Sequence, residues 1–169
     1  MGDYVRPQVG SPLLDHCPDG LPREMYLDPD HHARELKAIW ARQWIHVGRV
    51  NDLPPMVVRR VSVADQELLL VKDPDGRVSC LHNVCRHRGA ELCGAGETAL
   101  RSKAIVCPYH RWAYDLSGKL IGTPYVSVPP DFKKEEHGLF KAAVKIWNGF
   151  IANAPGISPR RCPTLPPSW

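Results

Sequence analysis

Cys85-Arg86-His87 and Cys107-Pro108-Tyr109-His110 are the two stretches on which the reading of this chain turns. Nineteen residues separate His87 from Cys107. Each stretch supplies one cysteine and one histidine, four ligands of soft to intermediate character. The spacings are too short for one face of a helix, so both stretches belong to loops. Two loops meeting tip to tip enclose one inorganic centre, and two centres fit the donor set. A single zinc ion takes Cys2His2 tetrahedrally. A [2Fe–2S] cluster takes both cysteines on one iron and both histidines on the other. Zinc fingers pair like with like, whereas here Cys and His alternate within each segment, as in the mixed-ligand cluster.

The rest of the composition bounds the setting. The chain has 169 residues, one domain's worth. Hydrophobic residues make up 43% and charged residues 24%, which excludes a mainly disordered or collagen-like chain. A net charge of +4 is too small and scattered to argue for nucleic acid. No run of 18 apolar residues exists to span a membrane, and the first residues lack a signal-peptide core. The expectation is a cytoplasmic protein whose cysteines are ligands and buried thiols and not disulfides.

Outward from the two loops the pattern is mostly β. Residues 1–27 are rich in proline and aperiodic, and read as an extended arm. Asp28, Pro29 and Asp30 signal a helix start. Leu36, Ile39, Trp40 and Trp44 recur at helical spacing, giving a helix over 28–44 whose apolar stripe is expected to pack into the core. Short strands are expected at 57–63, 67–72 and 77–82, with a turn at Asp73-Pro74-Asp75-Gly76. Residues 116–121 read as a hairpin, and 143–151 as one late strand broken by Gly149. Such a series suggests a small all-β sandwich or barrel over 45–154. Residues 155–169, with Pro155, Pro159, Pro163, Pro166 and Pro167, read as a proline-rich tail.

The flanks of the ligand stretches extend the pattern. Asn83-Val84-Cys85-Arg86-His87-Arg88-Gly89 and Cys107-Pro108-Tyr109-His110-Arg111-Trp112-Ala113-Tyr114-Asp115 closely resemble the cluster loops of Rieske non-haem iron oxygenases. Trp44-Ile45-His46-Val47-Gly48-Arg49-Val50, Trp147-Asn148-Gly149-Phe150-Ile151 and the helical lead-in are similar to segments of the oxygenase α-subunits. Arg88-Gly89-Ala90-Glu91-Leu92-Cys93 and the long gap resemble the subgroup acting on quaternary ammonium compounds such as betaines. The resemblance implies a mainly β domain of small antiparallel sheets, with the cluster loops at one tip. It implies a Rieske [2Fe–2S] cluster held by Cys85 and Cys107 on one iron and by His87 and His110 on the other. It implies electron transfer from a reductase or ferredoxin to a mononuclear non-haem iron in a catalytic domain or subunit, with homo-oligomers left open.

The chain also departs from the pattern. Where the family usually has glycine after the second histidine, this chain has Arg111, which either favours the reduced cluster or faces solvent. Ala90 and Tyr109 stand where the respiratory Rieske proteins have a disulfide, and Trp112 where they have a sulfide-bonding serine. Fewer hydrogen bonds to sulfur place the expected potential in the lower part of the Rieske range, roughly −150 to +300 mV. Tyr114 sits where a tyrosine partner for a cysteine sulfur can lie. Tyr109 and Trp112 are expected to fill core space or shield the cluster. Cys80 reads as a buried thiol, Cys93 as a neighbour of the cluster, and Cys17 and Cys162 as spectators. His16, His31, His32, His46 and His137 read as isolated side chains. His82 and His87 mimic the histidine spacing of the mononuclear iron site, but Ser79 stands where a carboxylate is required. With no spare His–His–carboxylate set, the expectation is an electron-transfer module whose catalytic iron domain is absent from this chain. A self-standing Rieske carrier and a zinc-stabilised binding module are the alternatives.

Overall fold

The computed structural model describes residues 19–154. The chain divides into two units, one up to Ala33 and one from Arg34 onward. In the first, a short helix α1 (Glu24–Leu27) precedes the start of α2 (Pro29–Glu35). Asp28 caps α2: its carboxylate accepts the amides of Asp30 at 3.0 Å and His31 at 3.3 Å. A π-helical turn, Leu36–Trp40, follows directly. The apolar stripe does not enter a core, contrary to the sequence expectation. Ile39 is 48% and Trp40 42% exposed, because π-winding breaks the 3.6-residue register that would have stacked them on one face.

The second unit holds ten described strands: β1 (Ile45–Arg49), β2 (Val57–Val63), β3 (Gln66–Lys72), β4 (Val78–His82), β5 (Glu97–Ala99), β6 (Ala104–Val106), β7 (Ala113–Asp115), β8 (Leu120–Gly122), β9 (Ala143–Trp147) and β10 (Phe150–Ala154). They form three antiparallel sheets in the orders β1-β10-β9, β4-β3-β2-β5 and β6-β7-β8. The fold is therefore mainly β, built from separate small sheets and not from one sandwich or closed barrel.

Strand β3 organises the interior. Leu68, Leu69, Leu70 and Val71 are all fully buried, as an apolar run without alternation requires of a central strand. Its two faces feed two cores. Leu68 and Leu70 join Leu53, Val63, Cys80 and Ile151, while Leu69 and Val71 join Val58, Ile105, Trp112 and Tyr114 around Cys85 and Cys107. Burying each leucine contributes roughly 1.5–3 kcal/mol. The ligand-bearing loops are thus attached to the larger of two cores that share one strand.

The segment 143–151 is a hairpin and not a broken strand. Trp147 pairs with Phe150, and both Asn148 (φ 46°) and Gly149 (φ 80°) take positive φ. That is the type I′ turn which Asn-Gly favours, and its twist matches the strands it joins. Strands β5 and β6 carried no sequence signal. Each is three residues long, and Glu97-Thr98-Ala99 is wholly exposed, so pairing with β2 alone defines it.

The β7–β8 turn is held by one carboxylate. Asp115 Oδ1 accepts the Ser117 amide and hydroxyl at 2.8 Å each and the Lys119 amide at 2.9 Å. Burial opposes its charge, but these donors outweigh it and hold the carboxyl below its ordinary value of 3.8. A depressed folded pKa contributes stability above the unfolded value, and that stability is lost as pH falls through the folded one. In Asp115→Asn, denaturant unfolding is expected to show lower stability at pH 7 and a flatter decline below about pH 4 than in the parent. An equal decline in both chains would refute this role.

Candidate cluster site

The two ligand stretches are built alike. The Cys85 amide donates to the Ala90 carbonyl at 2.8 Å, and the Gly89 amide donates to the Cys85 carbonyl at 3.0 Å. In the second loop Cys107 donates to Trp112 at 2.8 Å, and Arg111 donates to Cys107 at 3.1 Å. The fifth residue of each loop is left-handed, Gly89 at φ 69° and Arg111 at φ 61°. This explains why glycine suits the position, because a Cβ is strained there. Arg111 itself is exposed, which fits the reading in which it faces solvent. Arg111→Gly removes strain of about 1–2 kcal/mol and costs about 0.5–1 kcal/mol of unfolded-chain entropy. Thermal unfolding is expected to show a net gain of up to about 1 kcal/mol, and a lower melting temperature would contradict it.

Between these loops lie the four predicted residues. Cys85 and Cys107 are buried free thiols, each 2% exposed. Both lie in the same buried core cluster. His87 and His110 are half-buried with ring centroids 4.7 Å apart. The Nδ1 atoms of both imidazoles are buried without a hydrogen-bond partner. A buried polar atom left unmade costs about 1–3 kcal/mol, so two such orphans on neighbouring imidazoles mark a position for a ligand. The donors come as a thiol pair and an imidazole pair, the division a binuclear cluster takes.

The surroundings suit those donors. Burial pushes the Cys85 thiol up, and a hydrogen bond from Tyr114 and one from the His87 amide work against that push. The Tyr114 hydroxyl is 3.2 Å from Cys85 Sγ and accepts the Arg86 amide at 3.1 Å. It lies in the fully buried core and is raised in pKa, by burial first, so it stays a donor. Burial, then the charges of His110 and Arg88, lower the His87 pKa and favour the neutral imidazole a metal needs.

Trp112 is 3% exposed and stacks on His87 at 4.7 Å and 11°. It covers the imidazole from water. Tyr109 departs from the expected core role: it is 60% exposed, with its ring 3.7 Å from that of His110. His137 is less isolated than its sequence context implied. It packs on Phe132 at 4.2 Å and lies 6.1 Å from Trp112. Cys80 and Cys93 are both buried, Cys93 in the same core cluster as Cys85 and Cys107. Cys17, Cys162 and His16 lie outside the described residues.

Sequence reasoning missed Asn83. It is 2% exposed, and its Oδ1 accepts the amides of Leu92 and Cys93 at 3.0 Å each. Its Nδ2 donates to the Cys93 carbonyl at 2.8 Å. One side chain therefore ties the end of β4 to the far side of the first loop. Arg60 on β2 supports the same segment through ion pairs with Glu67 at 2.7 Å and with Glu91. Asn83 adjoins the motif, but its partners lie nine and ten residues away, which spacing does not reveal.

Known proteins are similar to this chain in sequence and fold. The Rieske [2Fe–2S] domain family matches residues 43–135, more than half of the chain. The large oxygenase component of salicylate 5-hydroxylase from Ralstonia is 35% identical over 139 residues, 75% of this chain and 32% of its own length. The glycine betaine monooxygenase oxygenase subunit of Chromohalobacter salexigens is 34% identical over 150 residues, 88% of this chain and 32% of its own. The apo form of the quaternary ammonium Rieske monooxygenase CntA superposes with a TM-score of 0.72 at 27% identity, over 79% of this chain and 39% of that one. Naphthalene 1,2-dioxygenase gives 0.73 at 26% identity, over 83% and 31%. The chain thus spans about a third of the length of the oxygenase subunits it matches. Among the described residues no helix is long and apolar enough to cross a membrane. Paired thiols, paired imidazoles, twin loops and the family match agree, and the chain belongs to the Rieske [2Fe–2S] domain family, whose cofactor is the Rieske-type cluster.

Proposed function

We propose that Cys85, His87, Cys107 and His110 hold the [2Fe–2S] cluster, and that the domain relays single electrons within a Rieske oxygenase. In this reading the electrons come from a reductase or ferredoxin and pass to a mononuclear non-haem iron in a catalytic domain outside this chain. The observation that carries the reading is that the same two loops hold a pair of buried Nδ1 atoms without partners and a pair of buried free thiols. When bound, the cluster supplies a one-electron couple centred on its histidine-ligated iron.

The chain's residues set the conditions for that couple. Cys85 and Cys107 bind as thiolates, and His87 and His110 as neutral imidazoles through Nδ1. Tyr114 donates to Cys85 Sγ and so favours the more negative, reduced state. Trp112 keeps water from His87. His110 and Tyr109 form the more open edge, suited to a redox contact. The substrate class stays undivided, because the salicylate hydroxylase and betaine monooxygenase relatives are similar to this chain at 35% and 34%.

The test is EPR of anaerobically purified, dithionite-reduced protein, with iron and sulfide counted. A rhombic signal of low average g with two irons per chain is expected. A colourless chain holding one zinc would overturn the reading. In Tyr114→Phe the loss of a charge-assisted hydrogen bond worth about 1 kcal/mol between redox states lowers the potential by about 40 mV. A redox titration followed by circular dichroism checks this, and an unchanged or higher potential would contradict it.

A further inference from the structure

A groove of about 900 Å³ opens beside the first ligand loop. Arg86, set between Cys85 and His87, forms part of its wall, so the groove reaches the cluster loop directly. Its other positive charges are Lys119, Lys134 and Lys141. Among the described residues none of these three lysines is in an ion pair. Two carboxylates also line the groove, Glu135 and Glu136, and Glu136 is engaged by Lys133 at 3.4 Å. Four cations thus share the groove lining with two carboxylates, and Lys119 also lies within electrostatic reach of Asp115.

The floor is apolar and exposed. Phe140 is 56% and Ile121 51% open to solvent. The Arg86 guanidinium lies 3.9 Å over the Phe140 ring, which holds the cation at the rim. The wall is tied to the sheet that leads into the site: the His82 amide donates to the Phe140 carbonyl at 2.9 Å, and Lys141 bridges Leu81. The Leu139 amide donates to the Gly118 carbonyl at 2.7 Å across the groove's inner end. Two exposed hydrophobic anchors inside a basic rim, on fixed backbone, have the anatomy of a transient docking site.

We infer that this groove is the landing face for an acidic one-electron carrier protein that reduces the domain, an inference that rests on the electron-transfer reading above. Charge complementarity selects the partner: a basic rim speeds the encounter with a negatively charged surface and repels a basic one. Arg86 adjoins His87 in the chain, so a carrier docked in the groove meets the first ligand loop. In the step one electron leaves the reduced carrier and one enters the domain, and no bond is made or broken.

The test is stopped-flow reduction of the oxidised, cluster-loaded full chain by reduced plant-type [2Fe–2S] ferredoxin, an acidic carrier used as the probe. The groove variant is Lys119→Glu/Lys134→Glu/Lys141→Glu. A control of equal charge change is Arg77→Glu/Arg101→Glu/Lys103→Glu, whose residues are exposed and outside the groove. At low salt the groove variant is expected to be slower by about tenfold or more and to lose most of its salt dependence. The control is expected to change far less, and reduction by photoreduced lumiflavin, a small neutral donor, is expected to match the parent in every variant. Equal slowing in both variants, or none in the groove variant, would overturn the docking face while leaving the cluster and its EPR signal intact. A groove variant that alters the chain's own sedimentation but not its reduction rate would overturn it too, and would assign the groove to a second copy of the chain. Absence of the cluster signal in the parent would instead defeat the underlying reading.

Discussion

Cys107→Ala is expected to yield a chain without the cluster. Anaerobic purification should give a colourless product with iron and sulfide near zero and no reduced EPR signal. The physical reason is the division of donors. Two thiolates on one iron supply the negative charge that offsets it, and a lone Cys85 leaves that iron a single protein ligand. The vacancy is buried, so water does not replace the sulfur at low cost. His110→Ala leaves the thiolate pair intact and is expected to lose the mixed-ligand signal while the chain still folds. Cys80→Ala is the control. Cys80 is buried in the other core, its pKa is pushed up to about 12 by burial, and it accepts a hydrogen bond from Asn153 at 3.2 Å. That variant should keep its iron and its signal. A Cys107→Ala chain that retains two irons and the rhombic spectrum would refute the ligand assignment.

Asn83→Ala is expected to be the most destabilising change outside the ligands. It strands the Leu92 and Cys93 amides and the Cys93 carbonyl in the interior and opens a void beside Leu92. Each unmade buried group costs about 1–3 kcal/mol, and they relax together, so about 3 kcal/mol is expected in all. Denaturant unfolding of the cluster-free chain measures it. The cluster adds its own readout: a loosened first loop should lose iron to a chelator faster than the parent. Asn83→Asp keeps the acceptor but loses the donor to Cys93 and sets a charge near Glu91. It is expected to fall between the two. A loss under about 1 kcal/mol in Asn83→Ala would mean that the loop is held by the Arg60–Glu91 pair and packing instead.

The candidate cluster loops were legible in the chain because they are local. Cys85 with His87, and Cys107 with His110, sit within two or three residues of each other, and metal-binding chemistry restricts which residue types can stand there. The turn at Asp73-Pro74-Asp75-Gly76 and the cap at Asp28 were legible for the same reason, since each depends on the conformational preference of adjacent residues. Strand β3 was legible because four successive apolar residues need two buried faces.

What the tertiary structure decided depends on residues distant in sequence. Hydrophobic spacing placed Ile39 and Trp40 in a core, but π-winding leaves them exposed. Asn148-Gly149 read as a break because a positive-φ pair makes a turn only when Trp147 and Phe150 meet across it. Strand β5 is wholly exposed and exists through its pairing with β2, and β6 is three residues set around the buried Ile105. Asn83 acts at a reach of nine residues, Tyr114 at 29, and the basic groove gathers Arg86 with lysines some 30 to 55 positions later. The sequence by itself determined the candidate ligand types, the cluster they suit and the mainly β class, because short-range chemistry dictates those. The clamp, the sulfur hydrogen bond and the open face came only from the fold, because hydrogen bonds and packing act between atoms in space and carry no mark in the order of the chain.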